Sequence, residues 1–252
     1  MTTSNVLLKL ASIDNLSEDD IYRCLGAPVK EDLFRLTDSE YPDSAPQYVV
    51  ACAELTKLDP DLLNGDITII DFGESFKQEF PPADGVGTPA GYRAPELFFD
   101  DAPSTHSDIW ALACTLFEIR AGSQLFAGYF GSEDEALENI VKTLGNFPES
   151  WHSRWIQEYD PAEDVIAGSL PLRSQIRDIG VDDKINEYEP DDRYTLDLLE
   201  RPCTTLSEDE IAIMEDLLSK LLTYRPDERR SVEWICKHPW FHFKSGLRPS
   251  DP

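Results

Sequence analysis

Asp71 closes the β-branched run Asp66 to Asp71 (DITIID) and is followed at once by Phe72 and Gly73. A carboxylate at the end of a strand, with a glycine hinge behind it, suits a Mg²⁺ ligand that faces phosphates. Three residues match by chance too often to stand alone, so the weight rests on two longer runs further along the chain. Gly87 to Glu96 reads GTPAGYRAPE, and Ser107 to Cys114 reads SDIWALAC. Thr88 is a hydroxyl framed by Gly87 and by the Ala94-Pro95-Glu96 triplet. Other reactive residue types show no such order. His106, His152, His238 and His242 lack ligand spacing and read as structural. The five cysteines (Cys24, Cys52, Cys114, Cys203, Cys236) include no C-x-x-C pair and read as reduced, small, buried hydrophobes. Ser75 and Thr88 are the serine and threonine hydroxyls between Asp71 and Glu96, and neither stands out as an activating phosphorylation site.

The elements that must carry these residues follow from pattern. Asn5 to Leu10 (NVLLKL) is compatible with a buried strand, and Asp66 to Asp71 reads as a central one. Ser17 and Asp20 resemble a capping box that opens a short helix to about Leu25, before Gly26 and Pro28. Residues 26–65 are rich in Pro, Asp and Ser and read mostly as loop, and residues 72–93 as an irregular loop. Pro103, Ser104 and Thr105 introduce a helix to about Arg120, stopped by Gly122. Its middle, IWALACTLF, is apolar on every side and must be enclosed by protein. Ser132 with Glu135 and Ser207 with Glu210 make further capping boxes. Behind them lie Leu137, Ile140, Val141 and Leu144, and Ile211, Met214, Leu217, Leu218, Leu221 and Leu222. A last short helix starts near Ser231 and ends before His238-Pro239. Trp151 and Trp155 read as core. The sum is a chain that is mainly α with a small β portion.

At 252 residues and 41% hydrophobic content, the chain has material for one large domain or two small ones, which excludes a wholly disordered chain. Its formal net charge is −27, which argues against direct nucleic acid binding or an anionic membrane as partner. Residues 11–65 hold 12 acids against 4 bases, and residues 122–200 hold 18 against 6. These stretches are either solvated loops or an acidic surface that attracts a basic peptide. No signal peptide is visible, and the longest apolar run, Ile109 to Ile119, is too short to cross a bilayer. A soluble protein of the cytoplasm or nucleus is expected.

In order and spacing, Asp71-Phe72-Gly73, Ala94-Pro95-Glu96 and the helix beginning at Ser107-Asp108 resemble the C-terminal lobe of a eukaryotic protein kinase. The resemblance implies that Asp108 holds the catalytic-loop backbone and that Glu96 pairs with Arg229 in R-P-D-E-R-R-S. It implies that Thr88 contacts the catalytic aspartate and shapes the peptide site. Arg93, directly before A-P-E, is typical of the CMGC group, and residues 122–200 sit where that group carries its insert. Met1 to Asn5 resembles the end of the catalytic loop. Asn5 is then a second metal ligand beside Asp71, and Leu7 the apolar floor under adenine, with ATP and Mg²⁺ as cofactors. Thr2 stands where serine/threonine kinases usually have lysine. The family's catalytic aspartate would precede Met1, as would its N-lobe, so the chain 1–252 reads as a partial kinase domain.

The insert 11–65, entered by D-N-L-S-E-D-D and closed by L-T-K-L-D-P, resembles fungal relatives of the SR-protein kinases, which act on Arg/Ser-rich proteins. The resemblance implies phosphoryl transfer from ATP to Ser/Thr of basic proteins in the full-length family, with this chain alone inactive. Two alternatives stay open: a non-catalytic acidic module that binds basic partners, and an incomplete gene product. Either way the lobe face calls for the missing N-lobe or a partner to cover it.

Overall fold

A helix with no polar face needs neighbours on all sides, and the segment from Ile109 to Phe117 has them. In the computed structural model, helix α2 spans Thr105–Ala121 and buries Ile109, Trp110, Ala111, Ala113, Cys114, Thr115 and Phe117. Enclosure ends there, because Ile119 is 58% exposed. Residues 1–33, 44–52, 62–82, 85–99, 101–159, 161–162, 165–181 and 205–243 are described. They fall into two compact units, Val6–Ile70 and a larger one formed by Met1–Asn5 with Asp71–Pro252. The closing segment Leu55 to Pro60, Cys203 and much of the stretch from 182 to 204 lie outside the described residues.

The larger unit is helical. Ser104 and Ser107 cap the start of α2 reciprocally, and Gly122 at φ 75° returns its N–H to the Glu118 carbonyl at 2.8 Å. That left-handed cap is open to glycine without strain, which is why the helix stops there. The other helices are α3 (Glu133–Leu144), α4 (Glu149–Glu158), α5 (Leu172–Arg177), α6 (Glu208–Leu221) and α7 (Val232–Ile235); α6 packs against α2, and α5 against α6. The apolar faces expected of α3 and α6 are buried: Leu137, Ile140 and Val141 on one, Ile211, Met214, Leu217, Leu218 and Leu221 on the other. Trp110 stacks on Phe126 at 5.4 Å, Trp151 on Phe99 at 5.5 Å, and Trp155 meets Phe147 edge-on at 5.4 Å. Both tryptophans of α4 thus serve packing.

Two of the three expected capping boxes close only halfway. Ser132 accepts from the Glu135 amide at 3.3 Å, while the Glu135 carboxylate turns to the Tyr129 amide. Ser207 accepts from the Glu210 amide at 3.2 Å, while the Glu210 carboxylate takes Arg120 at 2.9 Å. For Glu210 a charged guanidinium is the stronger donor; for Glu135 another backbone N–H takes the place of the cap's own. The box at α1 (Glu18–Leu25) is complete, through Ser17 and Asp20.

The smaller unit pairs β1 (Val6–Leu10) with β4 (Leu63–Ile69) antiparallel, and β2 (Lys30–Asp32) with β3 (Tyr48–Val50). This corrects three expectations. Residues 26–65 hold the β2–β3 hairpin besides loop. The 66–71 strand begins earlier, at Leu63, and is not central, because among the described residues its sheet has two strands. Nor is β1 buried: with one partner strand, Leu7, Leu8 and Leu10 stay exposed. The positive φ of Gly65 and a register shift between Leu8 and Leu10 mark where this ladder departs from regularity.

Truncating Leu217, fully enclosed on α6, should lower unfolding free energy by about 2–5 kcal/mol in urea titrations. Ile119→Ala should change it by less than about 0.5 kcal/mol.

Candidate active site

Residues 71–99 hold most of the candidate chemistry, and little of that segment forms regular structure. What fixes its far end is electrostatic. Glu96, in the 3-10 turn Pro95–Phe98, receives both Nη atoms of Arg229, at 2.7 and 2.6 Å. Both side chains are buried, at 2% and 0% exposure. Neither is left with spare polar atoms: Ser107 Oγ donates to Glu96 at 2.9 Å. Arg229 also donates to the carbonyls of His106 at 2.9 Å and Thr223 at 3.0 Å, and lies 5.1 Å over the Trp110 ring. The pair expected from the sequence forms in full.

Arg93 acts as a second clamp. Its Nε and Nη2 donate to the Thr88 carbonyl at 3.0 and 2.9 Å, and its Nη1 to Glu133 of α3 at 2.6 Å. The guanidinium sits 5.0 Å over the Phe98 ring. The backbone at Thr88 is therefore held by a side chain five positions on. Thr88 itself is half-buried, and its hydroxyl has no hydrogen-bond partner among the described residues.

Tyr92, buried in the turn Ala90–Tyr92, joins three segments. Its hydroxyl donates to Glu118 of α2, accepts from Gln124 Nε2 at 3.2 Å, and lies 3.2 Å from Thr3 Oγ1. The N-terminal turn Thr3–Asn5 is further tied by Thr115 Oγ1, which donates to the Met1 carbonyl at 3.3 Å. Sequence reasoning missed this hub. Its signal was present: Tyr92 lies within the motif run, and Glu118 is a carboxylate directly after the apolar middle of α2.

The register of the small unit's ladder fixes where the metal-ligand candidates emerge. Val6 pairs with Ile69, so the chain enters and leaves the ladder at one end, at Asn5 and at Ile70-Asp71. Asn5 and Asp71 thus flank the same end of the ladder in sequence. Asp71 is exposed at φ 63°, a left-handed conformation uncommon for a residue with a side chain. Among the described residues, neither its carboxylate nor the Asn5 side-chain amide has a hydrogen-bond partner, although the Asn5 backbone N–H donates to the Thr2 carbonyl at 3.1 Å. Two such oxygen donors suit Mg²⁺, which takes one or two protein oxygens and fills its shell with phosphate and water. Among the described residues no group of three His, Cys, Asp or Glu gathers into a cage. Leu7 lies on β1, 45% exposed.

Asp108 departs from expectation. Asp108 is exposed; its amide donates to the Ser104 carbonyl at 3.3 Å, and its carboxylate has no hydrogen bond among the described residues.

Comparison with known proteins gives this arrangement a family. The protein kinase domain family matches residues 60–241, a span that includes Asp71, Thr88, Glu96 and Arg229. The chain belongs to the protein kinase family. It is 32% identical over 187 residues to cyclin-dependent kinase G-2 of Oryza sativa subsp. indica, covering 71% of this chain and 23% of that protein. Dual specificity protein kinase lkh1 of Schizosaccharomyces pombe is 29% identical over 180 residues, 70% of this chain and 24% of that one. Protein kinase gsk3 of the same yeast is 28% identical over 189 residues, 73% and 39%. These are CMGC-type kinases, the group that Arg93 suggested. The chain spans about a quarter of the length of the first two relatives.

In this kinase domain, removing one member of the buried pair leaves the other charge uncompensated. Glu96→Ala and Arg229→Ala should each destabilise by about 3–5 kcal/mol, with the double variant far short of the sum. Chemical denaturation of all three variants measures the coupling.

Tyr92 yields a pH prediction. Burial first, and then the Glu118 carboxylate, raise its phenol above the ordinary 10.0. The unfolded chain therefore ionises before the folded one. Stability from Tyr92 is complete below pH 10.0 and is lost as pH climbs through the raised folded value. Urea midpoints should fall above that pH, and fall less in Tyr92→Phe. Part of the fall should persist, since burial raises Tyr159 and Tyr224 as well.

Proposed function

We propose that this chain is the substrate-binding lobe of a serine/threonine kinase of the SR-protein-kinase type. In this reading it acts on hydroxyls of basic, Arg/Ser-rich proteins in the cytoplasm or nucleus. Residues 11–65 and 122–200 are inserts on the common kinase plan. Asn5 and Asp71 hold Mg²⁺, Leu7 lies under the adenine of ATP, and Thr88 shapes the peptide site. The observation that carries the reading is the pair Glu96–Arg229, buried and bidentately hydrogen-bonded, at the end of the segment that starts at Asp71.

Bound Mg²⁺ would neutralise charge on the phosphate oxygens during transfer. The chain's own residues bind and orient: Asp71 and Asn5 present oxygens, and Arg93 holds the Thr88 backbone in one conformation. Transfer then needs a proton acceptor beside the substrate hydroxyl and a cover for the phosphates. This stretch supplies neither group, and Thr2 adds no cation at the phosphates. We therefore assign it metal, nucleotide and peptide binding but no transfer by itself. The acidic balance supports a second reading, a module that captures basic partners without chemistry. Both readings share the basic partner and differ in nucleotide binding.

Titration with a fluorescent ATP analogue separates them. Mg²⁺-dependent binding that drops at least about tenfold in Asp71→Ala is expected of the kinase lobe. Equal binding in both proteins, or none, favours the acidic module. Incubation with radiolabelled ATP and an Arg/Ser-repeat peptide should leave the peptide unlabelled; turnover by this chain alone would refute its assigned inactivity.

A further inference from the structure

Two aromatic side chains of the larger unit lie in water where a soluble surface would not leave them. Tyr129 is 82% exposed and Phe130 110%, side by side in the 3-10 turn Tyr129–Gly131. The turn is braced rather than loose. Asn139 Nδ2 donates to the Ala127 carbonyl at 2.6 Å, and Glu135 accepts from the Tyr129 amide. The Gly131 and Ser132 amides close back on the Gly128 and Tyr129 carbonyls at 3.1 and 3.0 Å. A Cβ at Gly128 would run into the Ser132 carbonyl, so glycine is required for the close approach. Phe130 is kept at φ 51°, a conformation that disfavours side chains. A strained, braced turn thus presents two rings that contribute nothing to the core.

We propose that this turn is a contact for arginine side chains of the bound partner; the inference deepens the basic-partner reading above and rests on it. Charge selects the occupant. A chain of net charge −27 repels a second copy of itself, nucleic acid and anionic lipid alike. Beside the rings, the first turn of α3 carries Glu133, Asp134 and Glu135, of which Asp134 is exposed with no ion pair among the described residues. A guanidinium over an aromatic face, with a carboxylate at its edge, satisfies both surfaces at once. The molecule builds that combination internally a few residues away. Arg93 lies 5.0 Å over Phe98 and donates to Glu133 at 2.6 Å. Lysine, a compact and strongly hydrated charge, fits such a stacked site less well.

The test is fluorescence anisotropy with a labelled Arg/Ser-repeat peptide and its Lys/Ser counterpart, on the full chain. The double variant Tyr129→Ala, Phe130→Gly should bind the Arg/Ser peptide about tenfold more weakly. The Lys/Ser peptide, weaker from the start, should lose less. Phe130→Gly alone should keep or raise the melting temperature while losing affinity, because glycine suits that backbone; a purely structural role predicts the reverse. Ile156→Ala, which removes an exposed apolar side chain on α4, should leave affinity unchanged. Unchanged Arg/Ser affinity in the double variant overturns this inference and leaves the basic-partner reading intact. No Arg/Ser binding by the unaltered protein overturns both.

Discussion

A carboxylate and a guanidinium taken out of water together are the constraint on which the larger unit turns. Desolvating two charges is expensive, and the exchange is tolerable only when every donor and acceptor is used. Glu96 and Arg229 approach that condition: four of the guanidinium's five N–H groups donate, to Glu96 and to the carbonyls of His106 and Thr223, while Ser107 donates to Glu96 and the Trp110 ring lies under the cation. Those partners come from the start of α2 and from the loop after α6. One pair therefore ties an irregular segment to two helical regions distant in sequence. Hydrophobic contacts alone would hold the segment near the body without fixing its orientation.

From that anchor, order passes back along the chain by short links. Arg93 reaches from beside the anchor to the Thr88 carbonyl and across to Glu133. Tyr92 reaches to Glu118 and Thr3, so the turn ending in Asn5 is tied to the same segment. Asn5 and Asp71 flank the end of the β1–β4 ladder in sequence, where Val6 stands opposite Ile69. Positions set by backbone pairing and by buried polar contacts leave the reactive oxygens themselves unengaged, as a site for phosphate and metal requires.

Much of the helical body was legible in the sequence, because apolar spacing and caps are local signals. The faces of α3 and α6 and the stop at Gly122 followed from residue types in order, and the Glu96–Arg229 pairing was implied by the family resemblance. Capping boxes were legible only in part. Glu135 and Glu210 carry the right residue type, but a Tyr129 amide and an Arg120 guanidinium, brought close by the fold, outcompete the cap. The burial of β1 and β4 was misjudged for a related reason. An apolar β-branched run announces a strand but not how many strands will flank it, and here each has one. Asp108 illustrates the same limit, since its exposure depends on what lies against the start of α2. The Tyr92 hub joins residues far apart in sequence, and no local period encodes it.

Amide hydrogen exchange, compared between the protein and an Arg229→Lys variant, tests the anchoring role of the buried pair most directly. Lysine keeps the charge but lacks the planar fork that engages both Glu96 oxygens. Slow exchange at Tyr92, Arg93 and Leu97 is expected in the protein and fast exchange there in the variant, with protection in α6 unchanged. Equal protection of those three amides in both proteins would contradict that role.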